Sequence, residues 1–175
     1  ADDFRPLILD IYSKLKAEYS FLSFHIGVGA LVHSVGKIKD SYAATKTCLD
    51  LGKTIKGKNC LTFIEDIACY GILQGIPANS LLYYACAGIE GALLNADSAG
   101  NTDLLNTIKT YLECDQSVTE TAKHLYIHRN TLSNRLEKII DIVGPVWNDK
   151  ETELNLRLYF RMRMLESARQ QEQVK

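Results

Sequence analysis

The amino-acid sequence predicts an α+β fold in which a mixed α/β segment is followed by an all-helical one. Within residues 1–76, stretches with helical spacing of apolar residues alternate with two short stretches typical of β-strands. From residue 103 onwards, the apolar residues recur mostly at helical spacing. Residues 93–102, LLNADSAGNT, concentrate Asn, Asp, Ser and Gly, which favour turns. We therefore expect a partial α/β domain over 1–76, a connecting helix and linker over 77–102, and a helical domain over 103–175.

The first domain is expected to alternate helices and strands. Pro6 favours the start of a helix, and apolar side chains alternate with small or polar ones over residues 22–28, which predicts a strand. The remaining predicted elements are a helix over about 38–55, a strand over 60–64, a helix that begins near Glu65 and a helix over 78–94. Because two strands alone form a poor sheet, we expect partner strands to lie upstream of residue 1.

The second domain is predicted to begin with a helix at Asp103 that ends in the residues CDQS, 114–117. Ser117 and Glu120 then have the spacing of a capping box, in which the Ser117 hydroxyl accepts from the Glu120 amide and the Glu120 carboxylate reaches back. A short helix follows to Leu125. A longer helix is expected from residue 128 or 129 to residue 143, where a Gly-Pro pair stops it.

The last apolar segment has two possible interpretations. Residues 154–165 alternate apolar and polar side chains like an edge strand, but they are rich in Leu, Met and Arg and contain no β-branched residue. We therefore predict a helix that is apolar on almost every side. Its surplus apolar residues, Leu156, Phe160 and Met164, offer a dimer interface, although packing against the α/β part is the alternative use.

A short capped helix, a turn of about three residues and a longer helix form the layout of a helix-turn-helix motif. Ala122 is small, which allows the two helices to approach closely where they cross. On the longer helix, Asn130 and Asn134 lie opposite an apolar arc that consists of Leu132, Leu136, Ile139, Ile140 and Val143.

The polar face of the longer helix suits the major groove of DNA, because Asn can read adenine and Arg can read guanine through paired hydrogen bonds. The predicted base contacts are made by His128, Arg129, Asn130, Ser133 and Asn134. The predicted phosphate contacts are made by Thr119, Lys123, Thr131, Arg135 and Lys138. The alternative is a three-helix bundle with a solvated polar face. Glu137 and Asp141 are compatible with DNA only if the helix leaves the groove after two turns.

Composition excludes several classes of protein. The chain carries 20 basic and 21 acidic residues, so no overall positive field draws it to nucleic acid or to a membrane. No apolar run approaches the roughly 18 residues of a membrane helix, and no secretory leader is apparent. The five cysteines include no CxxC pair and predict buried free thiols in the reducing cytoplasm.

Two parts of the chain resemble domains of one bacterial regulator family. The stretch TDLLNTIKTYLECDQSVTETAKHLYIHRNTLSNRLEKIIDIVG, residues 102–144, resembles the C-terminal helix-turn-helix of the PucR/CdaR family, which regulates purine-catabolism and sugar-diacid genes. The segments SFHIGVGALVHSV, SYAATKTCLDLGKTI and NCLTFIED resemble the degenerate GGDEF-like domain that precedes this module. The resemblance implies the C-terminal portion of a transcription factor, with any sensory domain upstream. Tyr126 replaces the usual small residue of the turn, so its ring must point out.

The GGDEF-like resemblance raises the question of nucleotide cyclase activity. Such an enzyme needs a Gly-Gly turn with adjacent carboxylates, but the sequence contains neither GGDEF nor GGEEF, and the acidic pair Glu65-Asp66 has no Gly-Gly beside it. His124 and His128 are separated by a turn and do not share the helix face that a zinc pair requires. We expect no catalytic residues, no bound metal and no cofactor.

Together, these observations predict a cytoplasmic, sequence-specific DNA-binding regulator of a catabolic or metabolic operon. Its expected partners are double-stranded DNA and further copies of itself, as a homodimer or higher oligomer, with a small-molecule effector on an upstream domain. Two alternatives remain open. One is an oligomerisation or protein-interaction module without DNA affinity, and the other is a switch that binds a metabolite in the α/β part.

Overall fold

In a computed structural model, the chain is described over residues 4–57, 59–77, 79–100 and 102–173. It divides into two compact units, of which the first comprises Ala1–Gly75 with Met164–Lys175 and the second comprises Ile76–Arg163. The first unit contains α1 (Arg5–Glu18), β1 (Ile26–Val28), a 3-10 turn (Val35–Lys37), α2 (Ile38–Lys56), β2 (Leu61–Phe63) and α3 (Ile64–Leu73). The second contains α4 (Leu81–Gly100), α5 (Leu104–Glu113), α6 (Val118–His124) and α7 (Arg129–Val143), and α8 (Lys150–Gln173) contributes to both units.

The first unit is built on a parallel pair of strands, in which Ile26 of β1 is aligned with Leu61 of β2. Helix α2 connects the strands and packs closely on one face of the sheet. A Cβ atom added at Gly52 of α2 would lie only 2.3 Å from Thr62 Oγ1, so this approach requires glycine. Since side chains alternate between faces, Phe63 lies on the opposite face, where the Arg5 guanidinium of α1 is 4.1 Å from its ring centre.

The predicted helices and strands of this unit are present, but the first strand is shorter than expected. The alternation over 22–28 predicts one strand, whereas β1 covers only Ile26–Val28. β1 is short because its partner strand β2 is short. Pairing between them begins where the Ile26 N–H donates to the Cys60 carbonyl at 2.9 Å. Further upstream, the Leu22 N–H donates to the Tyr19 carbonyl, which closes a turn instead.

The core of the second unit is formed by side chains from all five of its helices. Its most deeply buried members, each at most 1% exposed, are Leu93, Leu104, Ile108, Leu112, Leu132, Ile139, Leu156 and Tyr159. The Tyr159 hydroxyl donates to the Glu90 carboxylate at 2.6 Å, which joins α8 to α4. Burial, and then the neighbouring Glu90 carboxylate, raise the pKa of Tyr159 well above its usual range.

Helix α4 differs most from the sequence-based expectation. The turn-forming residues 93–102 predict that it ends near residue 94, yet α4 continues to Gly100. Leu93 is completely buried and Ala96 packs against the same core, so tertiary burial outweighs the weak local preference for a turn. The predicted start at residue 78 lies outside the described residues.

Helix α8 is confirmed as a helix rather than an edge strand. Its apolar residues do not form the expected free surface, however, because Leu156 and Phe160 are buried inside the second unit. Met164 is half-buried in the first unit, where the Tyr70 hydroxyl contacts its sulfur at 3.8 Å. The prediction that Leu156, Phe160 and Met164 provide a dimer interface is therefore wrong, because intramolecular packing already uses them.

Among the described residues, none of the helices is both long enough and apolar enough to span a bilayer.

Candidate nucleic-acid interface

Helices α6 and α7 are joined by four residues, 125–128, close to the turn of about three that the sequence predicts for a helix-turn-helix. At the end of α6, the Ile127 N–H donates to the Ala122 carbonyl at 3.0 Å and the Tyr126 N–H donates to the Lys123 carbonyl at 3.1 Å. These two bonds form a Schellman motif, which reverses the chain sharply. Ala122 is buried beside the turn, and Tyr126 is 96% exposed, so its ring does point out of the domain.

The start of α6 is capped as predicted, but only in one direction. The Ser117 hydroxyl accepts from the Glu120 amide at 3.3 Å. The reciprocal bond of the predicted capping box is absent, because the Ser117 N–H already donates to the Cys114 carbonyl at 2.9 Å. The Glu120 carboxylate instead accepts from Lys123 at 2.8 Å, and this bond holds the pKa of Glu120 below its usual value.

His128 is the N-cap of α7, where its Nδ1 atom accepts from the Asn130 amide at 3.2 Å. This bond leaves Nε2 as the ring nitrogen available to a ligand. The cap fixes the start of α7 at Arg129, so the first turn presents side chains that the sequence marks as base contacts. The motif thus has a side-chain cap at the start of each of its two helices.

The exposed side of α7 carries most of the predicted contact residues. Arg129, Asn130, Thr131, Ser133, Asn134 and Lys138 are all exposed, and Thr119 is exposed in the first turn of α6. On the opposite side, Leu132, Leu136 and Ile139 are buried, whereas Ile140 is 39% exposed. The Ser133 hydroxyl donates to the Arg129 carbonyl, which leaves only its lone pairs for a ligand. Arg129 and Lys138 form no ion pair within the part of the chain that the structure describes.

Arg135 is turned towards the protein. Its guanidinium donates to the Thr107 hydroxyl at 3.1 Å and contacts the Asp103 carboxylate at 3.5 Å, both at the start of α5. The Arg135 side chain is only 23% exposed. Arg135 therefore ties α7 to α5, and its predicted phosphate contact remains a prediction. Lys123 also has a protein partner, Glu120, but that pair is exposed.

Two supporting residues were not found by sequence reasoning. Asp97 of α4 accepts from the amides of Leu104 and Leu105 at 2.7 and 3.1 Å and from the Thr102 hydroxyl at 2.8 Å, so it caps α5 from another helix. Burial raises the pKa of Asp97, but these three donors outweigh it and hold the pKa below its usual value. Arg157 of α8 contacts Asp115 at 3.1 Å, in the turn before α6. Neither contact has a local sequence signal.

The arrangement presents an exposed polar helix face on a closely packed support. Within the described ranges, no group of three or more His, Cys, Asp or Glu side chains is placed to hold a metal ion.

Comparison with known proteins points to one family. Residues 104–162 match the model of the PucR C-terminal helix-turn-helix domain. The chain is 48% identical over 139 residues to the purine catabolism regulatory protein of Bacillus subtilis (strain 168). The aligned segment covers 79% of this chain and 26% of that protein. It is 26% identical to the carbohydrate diacid regulator of Escherichia coli (strain K12), over 82% of this chain and 36% of that protein.

A third relative is the proline-responsive transcriptional activator PutR of Bacillus subtilis (strain 168), which is 26% identical over 77% of this chain and 33% of its own length. The chain thus spans between a quarter and slightly more than a third of the length of these three relatives. No solved structure matches the chain.

Proposed function

Because the chain belongs to the PucR/CdaR family of transcriptional regulators, we propose that it binds double-stranded DNA sequence-specifically and controls transcription. The observation that carries the proposal is the exposed side of α7, which presents Arg129, Asn130 and Asn134 opposite a buried apolar side. A polar helix face alone would not indicate DNA binding. Here the face begins at a side-chain cap and follows a four-residue turn, as in helices that enter the major groove.

In this proposal, the first two turns of α7 lie in the major groove. Asn130 and Asn134 read adenine edges and Arg129 reads guanine, because their side chains offer paired hydrogen bonds. His128 and Ser133 supply further base contacts. Thr119, Lys123, Thr131 and Lys138 contact phosphates around the groove, and Arg135 does so only if it leaves its partners on α5. The exposed acidic residues Glu137 and Asp141 lie beyond these turns, where the helix leaves the groove.

The charge of the motif favours binding by more than one copy. Between residues 115 and 140, four Lys or Arg side chains face three Asp or Glu side chains. So small an excess gives a single motif little attraction to phosphates at physiological salt. We therefore propose that the chain acts as a homodimer or higher oligomer, whose paired motifs contact half-sites about one helical turn apart.

The names of the relatives also suggest which genes are controlled. They refer to purine catabolism, carbohydrate diacids and proline, so we propose that this chain controls a catabolic or metabolic operon. We also propose that it acts in the cytoplasm, where its proposed DNA partner lies. We further propose that the first domain, predicted over 1–76, is GGDEF-like and that the DNA-binding domain begins at the predicted residue 103, although α4 belongs to the same compact unit as the helix-turn-helix and Met164–Lys175 belongs to the first unit. Its β1–α2–β2 arrangement with parallel strands supports this assignment.

The decisive experiment is selection of bound sequences from random DNA, followed by titration of the selected duplex over a series of salt concentrations. We expect the logarithm of affinity to fall linearly with the logarithm of salt, because bound phosphates release counterions. An oligomerisation module without DNA affinity would enrich no sequence and would show no such slope. Either result would overturn the proposal.

A metabolite-binding switch is the second candidate function, because the first unit contains a cleft of about 260 Å³. Its lining residues are Thr47, Asp50, Leu51, Thr54, Gln74, Leu165 and Arg169. The Asp50 and Arg169 side chains carry opposite charges and have no partner among the described residues. A small molecule with both an ammonium and a carboxylate group would complement this pair. A thermal-shift screen of such metabolites tests the idea, and Asp50→Asn should abolish any shift observed.

A further inference from the structure

Tyr126, in the turn between α6 and α7, combines two unusual properties. Its φ is +54°, in the left-handed region that side chains with a Cβ rarely adopt. Its side chain is also 96% exposed, more than any other large apolar side chain among the described residues. A bulky aromatic residue in this conformation is an outlier, and such outliers cluster at functional sites.

The backbone conformation follows from the Schellman motif that ends α6. Tyr126 occupies the position just beyond the C-cap, which is left-handed in this motif and is most often glycine. Glycine would adopt the conformation without the clash of a Cβ atom, and Asn would tolerate it. The fold of the turn therefore requires a left-handed residue but does not require tyrosine.

At the end of α5, the residue in the equivalent position has the same left-handed conformation, but its side chain forms a contact that offsets the strain. There Asp115 has a φ of +50°, after the same pair of backbone bonds from Asp115 to Leu112 and from Gln116 to Tyr111. The Asp115 carboxylate contacts Arg157 at 3.1 Å and so links the turn to α8. The Tyr126 hydroxyl forms no hydrogen bond with any described residue. Its ring therefore gives the fold no contact that offsets the strain.

The position of Tyr126 relates it to the DNA-facing side of the motif. It lies two residues before the N-cap His128 and three before Arg129, at the end of α7 that enters the groove. We propose that Tyr126 is a further DNA-binding residue, whose hydroxyl donates to a backbone phosphate beside the base pairs that α7 reads. This inference rests on the proposed function. Tyrosine hydroxyls are among the groups that contact phosphate oxygens, and such contacts set orientation without reading sequence.

Because the phenol is neutral, its contact with a phosphate can be distinguished from that of a Lys or Arg by the salt dependence of binding. Removing it lowers the affinity for selected and for random DNA alike, because a phosphate is present in both. Unlike the loss of a Lys or Arg, it leaves the salt dependence unchanged, because no charge is removed from the interface. Tyr126→Gly should have opposite effects on folding and on binding. Glycine relieves the strained backbone and so raises the stability of the fold, but it lacks the hydroxyl and so weakens the complex with DNA.

The test compares the wild-type chain with Tyr126→Phe, Tyr126→Gly and Tyr84→Phe. Tyr84 is a matched control, since it is 69% exposed on α4 of the same unit. Dissociation constants are measured with a duplex selected from random DNA and with a random duplex, over a salt series, and Tm is measured for each variant. We expect Tyr126→Phe to weaken both complexes roughly three- to tenfold with an unchanged salt slope, as for a lost hydrogen bond. Tyr126→Gly should weaken both similarly while its Tm rises by a few degrees, and Tyr84→Phe should change neither.

The outcomes separate this inference from the proposed function. A wild-type chain that binds no DNA at any salt concentration overturns the proposed function and this inference with it. Wild-type binding that Tyr126→Phe retains in full overturns the inference alone. A fall in Tm for Tyr126→Gly would also overturn it, because the ring would then stabilise the fold.

Discussion

At the scale of single residues, the polar side of α7 contains two kinds of side chain that look alike in sequence. Asn130, Asn134 and Lys138 are exposed, and their side chains form no hydrogen bond or ion pair with the described residues, so they are free to contact a ligand. Arg135 lies one residue from Asn134, yet its guanidinium is bound to α5. The helical period identifies the exposed side correctly, but it does not show which long side chains bend back to the protein.

Asn130 is expected to read sequence. Asn130→Ala should cost about 1–3 kcal/mol of binding free energy on the selected duplex and little on random DNA, because the lost bonds go to a base edge. Competition titrations with the two duplexes measure the difference. Lys138→Ala is the control, and it should weaken both complexes and reduce the salt slope by about one. An equal loss on both duplexes for Asn130→Ala would exclude base reading.

Arg135 is expected to stabilise the protein, whether or not it also contacts a phosphate. Arg135→Ala should lower the free energy of unfolding by about 1 kcal/mol, because it removes the bond to the buried Thr107 hydroxyl and the contact with Asp103. Thermal denaturation measures this loss, and a salt series with the selected duplex measures the slope. A reduction by about one would assign Arg135 to a phosphate, as the sequence predicts, whereas an unchanged slope would leave it a purely structural role.

At the scale of helices, the motif is held by caps of two different origins. The caps of α6 and α7 are local, since Ser117 and His128 bond to amides two or three residues further on. The cap of α5 is tertiary, since Asp97 reaches it from α4. Local caps are visible in sequence spacing, and the tertiary cap depends on the packing of α4 beside α5.

The Asp97 cap should make stability depend on pH in a predictable direction. The folded protein holds the pKa of Asp97 below its usual value, so the unfolded chain binds more protons as the solution becomes acidic. The stabilisation is complete above the unfolded pKa of about 3.9 and is lost as pH falls through the folded pKa. Asp97→Asn should therefore lower Tm at pH 7, and the difference from wild type should shrink towards pH 3. A pH-independent difference would show that the charge of Asp97 does not matter.

At the scale of the whole molecule, α8 is apolar on almost every side because it contributes to the cores of both units. Residues 150–163 belong to the second unit, where Leu156, Tyr159 and Phe160 are buried. The later residues belong to the first unit, where Leu165 is buried. Both sets of apolar side chains are thus used within one chain.

Two copies of the chain are expected on each operator. Sedimentation with a selected duplex should give two chains per DNA, because one motif carries too little positive charge for stable binding. One chain per duplex would contradict the proposed dimer. Phe160→Ala tests separately whether α8 forms the interface between copies. As a core truncation, it should lower the free energy of unfolding by about 3–5 kcal/mol without changing the stoichiometry of the folded protein.

The sequence by itself determined the features that depend on near neighbours. The helices of the motif, the Ser117 cap, the short turn between α6 and α7 and the polar side of α7 all follow from spacings within one or two helical turns. Only the tertiary structure decided the extent of α4, the Asp97 cap, the partners of Arg135 and the burial of α8. These features depend on contacts between residues distant in sequence, where burial of a residue such as Leu93 contributes more free energy than local propensity.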